Sequence, residues 1–458
     1  MIYQRLKKIN FYLYGPFIVL FELVLIARMV SLYYLVDPRL DSLISWTLVG
    51  LSIFLMAEFF IERIKNKAFF LSDILLSIFL IVLFVSMLVN RGYGIFDNLK
   101  LIMWQGIYFF AVFELGRRKS KRLLVLFESV LIAVWFLLVM IAVVLFITKF
   151  SNSFSFDKLY YGVRLGIVEN RLYGVFVDPN YASTISLITI ISSFHLFTVL
   201  GKNKLIKSFL VANIFFQFSY IILSGSRSAQ IQLVIAVLIC TFFFLLKSNR
   251  VKKYLNALIL SILAVFLVLG SFQILKQAWV WTANSVKIDL SNSGHSNELS
   301  DSLTLSRNDV DNNSDVSNSR FKLWKSSLEI FENNPIFGTS PKNLYIVAQE
   351  QTPKTYIAVK EQTSHNFLFY LLATTGIMGT IPILIFLIIN AKTIFSRLLL
   401  VRDHSDDYFQ YLFLSLVGIT VLISACLVTD MVLVNRLAGF IFWFFAGYLQ
   451  NSNTLTKK

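Results

Sequence analysis

Charge is what this chain has least of. Only 15% of its 458 residues are Asp, Glu, Lys or Arg, against about 25% in an ordinary soluble domain. A deficit of that size, with 57% hydrophobic residues and 45 phenylalanines, excludes a soluble globular protein and puts most of the chain in lipid. The two cysteines, Cys240 and Cys426, lie inside apolar runs, so neither a disulfide framework nor a thiolate metal site is expected. Acidic residues are scarcer than basic ones, 26 against 42. The resulting charge of +16 does not point to nucleic acid, because Lys and Arg cluster in short loops between apolar runs. No basic, aromatic strip outside the membrane is available to stack bases. Arg5, Lys7 and Lys8 precede the first apolar run with no small-residue cleavage site after it, which reads as an uncleaved first span.

A spanning helix needs roughly 20 mostly apolar residues. On that rule about twelve spans are expected, at 11–35, 42–61, 69–89, 99–116, 123–147, 181–200, 205–223, 228–246, 254–272, 366–390, 408–428 and 431–449. Basic residues alternate along this series. Arg63 to Lys67, Arg117 to Arg122, Lys202 to Lys207, Lys247 to Lys253 and Lys392 to Arg402 all fall on one side. The positive-inside rule makes that side cytoplasmic, with both termini. The expected class is an all-α polytopic protein of the cell membrane, surrounded by the lipid bilayer. Residues 1–272 carry the first nine spans, 273–365 form one large extracytoplasmic loop, and 366–458 carry the last three spans and a cytoplasmic tail.

Three segments then lie outside: 148–180, the turn around Arg227, and 273–365. Within the last, residues 288–318 are dominated by Ser, Asn and Asp and have no periodic apolar face. They are expected to be disordered, and deletion of 291–316 to be tolerated. From Arg320, the apolar residues Leu323, Trp324, Leu328, Ile330 and Phe331 predict an amphipathic helix that Asn334-Pro335 stops. A turn through Gly338, Ser340 and Pro341 follows, and then a second helical stretch over 345–348.

The outer face collects the chemistry. Arg171 sits in Asn170-Arg171-Leu172-Tyr173-Gly174, Arg227 in Ser226-Arg227-Ser228, Arg320 at the start of the loop helix, and His365 in Ser364-His365-Asn366. Taken singly, an arginine at a helix end is more often a snorkelling anchor than a ligand. A lone histidine at a span entrance is more often a satisfied polar group. His195 reads as packing, His295 and His404 as solvated, and Glu22 and Arg28 as an ion pair within the first span. The set is what needs explaining, since external arginine runs against the charge trend. Guanidinium grips phosphate oxygens in a bidentate fork without titrating. Several together could hold a pyrophosphate and stabilise it as it leaves. With few external carboxylates to hold a divalent metal, no cofactor or metal is expected. One imidazole beside such a site could take a proton from a sugar hydroxyl.

These residues resemble a known family. Arg171 with Gly174, then Ser226-Arg227-Ser228, then Arg320 to Pro335 as Arg-x-x-x-Trp followed by Asn-Pro-x-x-Gly, and His365-Asn366 with Gly376 and Gly379, are similar to the O-antigen ligase and Wzy-type polymerase superfamily. The likeness covers roughly residues 165–385. It implies a GT-C-like, metal-independent, inverting membrane glycosyltransferase acting on undecaprenyl-pyrophosphate-linked oligosaccharide. By resemblance, His365 would be the general base, with Arg320 and Arg227 as catalytic cations. Arg171, Asn366, Trp324 and Ser226 would bind substrate. Ser340 departs from the pattern, standing where the family's turn usually carries a second glycine.

A chain rich in Lys, Ile, Asn and Phe hints at a low-GC genome, often that of a bacterium without a lipopolysaccharide core. That favours a capsule or exopolysaccharide repeat-unit polymerase over a ligase that moves finished glycan to another acceptor. A chain-length regulator and a flippase of the same pathway are candidate partners. A flippase or transporter for lipid-linked sugar is the rival from another class, and a membrane scaffold a third. Against transport stand the one-sided loop and the lack of paired, broken mid-membrane spans.

Overall fold

The computed structural model describes residues 2–66, 69–153, 163–200, 203–247, 254–286, 303, 305, 319–400, 407–428 and 435–450. Among the described residues, eleven helices are long and apolar enough to cross a membrane. In chain order they are α1 (Ile2–Ala27), α2 (Pro38–Asn66), α3 (Leu71–Val89), α4 (Ile95–Arg117), α5 (Lys121–Ile147), α6 (Pro179–Leu200), α7 (Lys204–Leu223), α8 (Arg227–Lys247) and α9 (Tyr254–Ser285). Three short helices follow, α10 (Arg320–Asn333), α11 (Leu344–Gln351) and α12 (Tyr356–Lys360), before α13 (Phe367–Leu400) and α14 (Tyr408–Leu427). The twelfth expected span is the shorter apolar helix α15 (Leu437–Gln450). The protein is an all-α polytopic membrane protein.

One small sheet interrupts the helices. Strands β1 (Ser151–Ser153), β2 (Arg164–Val168) and β3 (Arg171–Gly174) pair antiparallel in that order. The β2–β3 turn is Glu169-Asn170, both at positive φ, as a two-residue hairpin with the right-handed strand twist requires. Nothing in the alternation of residues 148–180 announced these strands.

Several of the basic residues expected on one side have partners on neighbouring helices. Arg63 pairs with Glu114 at 2.6 Å, Arg117 with Asp73 and Gln450, and Lys121 with Asp407 at 2.8 Å. Arg397 donates to the Leu449 carbonyl at 2.7 Å. Elsewhere in the fold Arg171 lies in β3, Arg227 heads α8, Arg320 heads α10 and His365 immediately precedes α13.

Helix α6 is the centre of the bundle. Its Ser and Thr side chains bond to neighbouring helices: Ser183 to Ser224 at 2.7 Å, Thr184 to Ser424 at 2.9 Å, and Ser186 to the Trp135 indole at 3.0 Å. Without a hydrophobic drive between helices in lipid, such small polar contacts are how bundles hold register. His195 belongs to this layer. It was expected to be simple packing, yet its Nδ1 lies 2.6 Å from a Glu128 oxygen, both side chains almost wholly buried. The partner sits on another span, where sequence spacing cannot reveal it.

Other expectations also change. Arg28 does not pair with Glu22; it bonds to Asp41 at 2.7 Å, because α1 ends at Ala27 and leaves Arg28 facing the start of α2. Residues 31–35, assigned to the first span, form a 3₁₀ turn. Helix α9 continues past residue 272, where the apolar run ends, to Ser285. Most of 288–318 lies outside the described residues, as do His295, His404 and Thr429-Asp430. Within that stretch Leu303 and Leu305 are described. Both are buried. The Leu303 N–H donates to Asn284 Oδ1 at 3.0 Å, and Lys276 Nζ donates to the Leu305 carbonyl at 3.2 Å.

Candidate active site

The strongest sequence block, Arg320 to Gly379, folds as one unit. Leu323 and Ile330, on one face of α10, pack with Leu344, Ala348, Ile357 and Tyr370 from α11, α12 and α13. The Asn-Pro-x-x-Gly turn then inserts into a break in α13 at Gly376, whose φ of 61° and ψ of −164° leave the helix. In an unbroken helix the Ile377 and Met378 N–H groups would donate to Ala373 and Thr374. Here they donate to Pro335 and Ile336 at 2.9 and 3.2 Å. The two orphaned carbonyls accept from Thr339 and Ser340 at 3.0 and 2.9 Å. Every backbone group freed by the break finds a partner, as lipid demands.

The glycines follow from this insertion. A Cβ at Gly338 would lie 2.3 Å from the Thr374 carbonyl carbon, and one at Gly376 would lie 2.4 Å from the Ile336 oxygen. Ser340 takes the left-handed conformation that a second glycine would favour, with φ of 69°. Its hydroxyl lies 3.0 Å from that of Ser86.

His365 stands at the entrance to α13, itself at a positive φ of 47°. Its Nδ1 is 2.8 Å from the Val428 carbonyl at the end of α14. A carbonyl only accepts, so Nδ1 carries the proton and Nε2 presents its lone pair when the ring is neutral. Burial depresses the pKa below the usual histidine value. The Val428 bond and Asp178 oppose that shift, while Arg320 and Arg436 add to it. Asn366 beside it caps α13, accepting from the Leu368 and Phe369 N–H groups, and donates to the Cys426 carbonyl at 3.0 Å. Trp324 stacks on Phe369 with ring centroids 5.3 Å apart.

Arg171 and Arg227 meet through a turn. Arg171, buried, donates from Nε to the Ser224 carbonyl at 2.8 Å and from Nη2 to Asn180 Oδ1 at 2.7 Å. Ser226 is wholly buried, and its hydroxyl accepts from the Ala229 N–H at 3.3 Å. It starts α8, a structural duty next to Arg227. Arg227 lines a pocket of about 350 Å³ with Gln230, Gln273 and Lys276, walled by Ile222, Leu269, Phe272 and Leu305. Lys276 was missed because it falls just past the ninth apolar run and reads as the first residue of a polar loop.

Two further charged residues were missed. Asp178 caps α6, its Oδ1 accepting from the Asn180 N–H at 2.8 Å. Arg436 lies over the Tyr181 ring, 5.7 Å from its centroid, at the head of α15. The sequence absorbed Arg436 into the span 431–449, although the helix begins only at Leu437.

The fold and this face define a multi-pass membrane protein with cations and one imidazole collected at one end of its helices. Residues 212–384 match the family model described as O-antigen ligase. That match supports placing the chain in the O-antigen ligase and Wzy-type superfamily. It runs from α7 into α13 and includes Arg227, Lys276, Arg320 and His365. Arg171, Asp178 and Arg436 lie outside it. No curated protein matches the chain.

Proposed function

We propose that the chain is a polysaccharide repeat-unit polymerase working on the outer face of the cell membrane, with both termini cytoplasmic. It would transfer a glycan from undecaprenyl pyrophosphate to a hydroxyl of another lipid-linked repeat unit. The observation that carries the transferase reading is the bond from His365, inside the family segment, to the Val428 carbonyl beyond it. With Nδ1 donating, Nε2 of the neutral ring keeps its lone pair, the form a general base needs.

In the proposed step, Nε2 of His365 takes the proton of the acceptor hydroxyl. The acceptor oxygen forms its bond to the donor's anomeric carbon as the bond from that carbon to the pyrophosphate oxygen breaks. Undecaprenyl pyrophosphate leaves with the electron pair, and a single displacement inverts the anomeric centre. The pocket beside Arg227 suits the leaving group, since Arg227 and Lys276 supply two positive charges and its lining, among the described residues, contains no carboxylate. Its apolar wall suits the first isoprene units. Arg320 is held at the head of α10, where its charge acts on His365. Fixed cations stabilise the developing negative charge without reorganising during reaction.

A ligase uses the same chemistry on a different acceptor. The polymerase reading rests on the composition of the chain, which favours a bacterium without a lipopolysaccharide core. The test is purified protein in vesicles with a synthetic polyprenyl-pyrophosphate repeat unit, products resolved on a gel. A ladder that vanishes with His365→Ala supports the proposal. Movement of the lipid across the bilayer without any glycan transfer would instead make the protein a flippase.

A further inference from the structure

A second pocket, of about 370 Å³, opens among the ends of α1, α6 and α15, lined by Arg28, Tyr34, Asp178, Tyr181, Asn435 and Arg436. Its chemistry differs from the pocket beside Arg227. There the charged lining residues, among those described, are Arg227 and Lys276. Here both signs are present: Arg28 is paired with Asp41 at 2.7 Å, and Asp178 lines the same pocket as Arg436. A balanced pocket does not favour a polyanion such as pyrophosphate. It favours a neutral ligand with closely spaced donors and acceptors, which is what the hydroxyls of a sugar ring present. Asp178 spends Oδ1 on the α6 N-terminus, which leaves Oδ2 for a ligand hydroxyl. Tyr34 is exposed and offers an amphipathic ring face on which a sugar's C–H face can lie. The volume is at the lower end of small-molecule sites, about 300–1,000 Å³.

Two residues of this pocket also lie near enough to His365 for their charges to act on it. Asp178 and Arg436 both act electrostatically on the His365 ring, with opposite signs. The pocket also joins the pyrophosphate side through hydrogen bonds. Asp178 binds the Asn180 N–H, Asn180 binds Arg171, and Arg171 holds the Ser224 carbonyl in the turn before Arg227.

We propose that the pocket between Arg28, Asp178 and Arg436 is the acceptor subsite, holding a sugar residue of the acceptor glycan with one hydroxyl directed to His365. This rests on the transferase reading and adds the place and chemical class of the second substrate. Asp178 and Arg436 are then acceptor-binding residues that lie outside the family segment, which suits a part of the site that varies with the glycan.

The test separates binding from turnover. The probe is the oligosaccharide freed by mild acid from the host's own polyprenyl-linked glycan, titrated into purified protein in lipid nanodiscs and followed by saturation-transfer NMR. Wild type should bind it, and Asp178→Asn, which keeps the helix cap, should weaken binding about tenfold. Tyr34→Ala, at an exposed position, should weaken it too. In the transfer assay both variants should raise the KM for acceptor and leave the KM for donor unchanged. Unchanged oligosaccharide binding in both variants, or an increase confined to the donor KM, would overturn the subsite. Oligosaccharide binding that depends on Asp178 in a protein that performs no transfer would leave the subsite standing and remove the polymerase.

Discussion

His365 donates from Nδ1 to the Val428 carbonyl at 2.8 Å, a bond that joins the head of α13 to the end of α14 and fixes which ring nitrogen can act as a base. Its pKa is held below the usual histidine value of about 6.5, first by burial. In the proposed mechanism the neutral ring is the active form, so activity should persist to a pH below that value and fall as the ring protonates. Removing the positive charge in Arg436→Ala raises the pKa and moves the acid limb of kcat/KM to higher pH. Asp178→Asn removes a charge that raises it and moves the limb to lower pH. Parallel shifts in both variants would show that the limb does not belong to His365. His365→Ala itself should lose about 10²–10⁴-fold in rate.

Arg227 and Lys276 are expected to act through charge on one leaving group. Arg227→Ala and Lys276→Ala should each reduce kcat/KM for donor by about ten- to a hundredfold. Arg227→Lys should recover only part, since an ammonium cannot fork two phosphate oxygens. Turnover by wild type should survive EDTA. Inhibition by EDTA that magnesium reverses would mean that a metal ion, and not these two side chains, stabilises the leaving group.

The insertion of residues 335–340 into α13 gives opposed expectations for its small residues. Gly338→Ala and Gly376→Ala each place a methyl within 2.4 Å of backbone and should destabilise by about 1–3 kcal/mol or more. Ser340→Gly relieves a left-handed serine, worth about 1–2 kcal/mol, and loses one hydroxyl contact of about 1 kcal/mol. It should be close to neutral. Thermal unfolding in detergent, read by loss of the monomer peak in gel filtration, ranks the three.

Glu128 and His195 form a buried pair 2.6 Å apart. Replacing one partner strands the other, which costs about 3–5 kcal/mol in buried pairs. His195→Leu should therefore lower the unfolding temperature sharply, and the double change Glu128→Leu with His195→Leu should recover much of it. A double variant no better than the single one would mean that the pair is not coupled.

Leu303 is buried against α9 and hydrogen-bonded to Asn284. Leu303→Ala should cost about 2 kcal/mol or more. Deletion of 291–316, expected from composition to be harmless, should reduce stability, and unfolding of the deletion in detergent checks it.

The spans were legible because bilayer thickness sets a length that hydropathy reads directly, and the alternation of Lys and Arg sorted their ends. His365, Arg227 and Arg320 were legible because they sit in local motifs. Asp178, Lys276 and Arg436 were not, for a shared reason. Each lies at the boundary of a span, where an apolar window hides a charge or a polar loop absorbs it. His195 and Glu128 are 67 residues apart in the chain, and only the packing of α5 on α6 makes them a pair. The hairpin of β1 to β3 was hidden by its brevity.

The break in α13 also bears on how the protein is made. Residues 335–340 leave the ribosome before the helix they complete, and neither part satisfies its backbone alone. Until they meet, Phe367–Leu400 can sit in lipid only as an unbroken helix, or with Gly376 and its neighbours in water. The loop and the break in α13 therefore complete each other's backbone hydrogen bonds, in the same packed unit that sets Arg320 where its charge acts on His365. A chain inserted with every span in place but without the loop docked would keep its hydropathy pattern and lack the packing of α10 on α13.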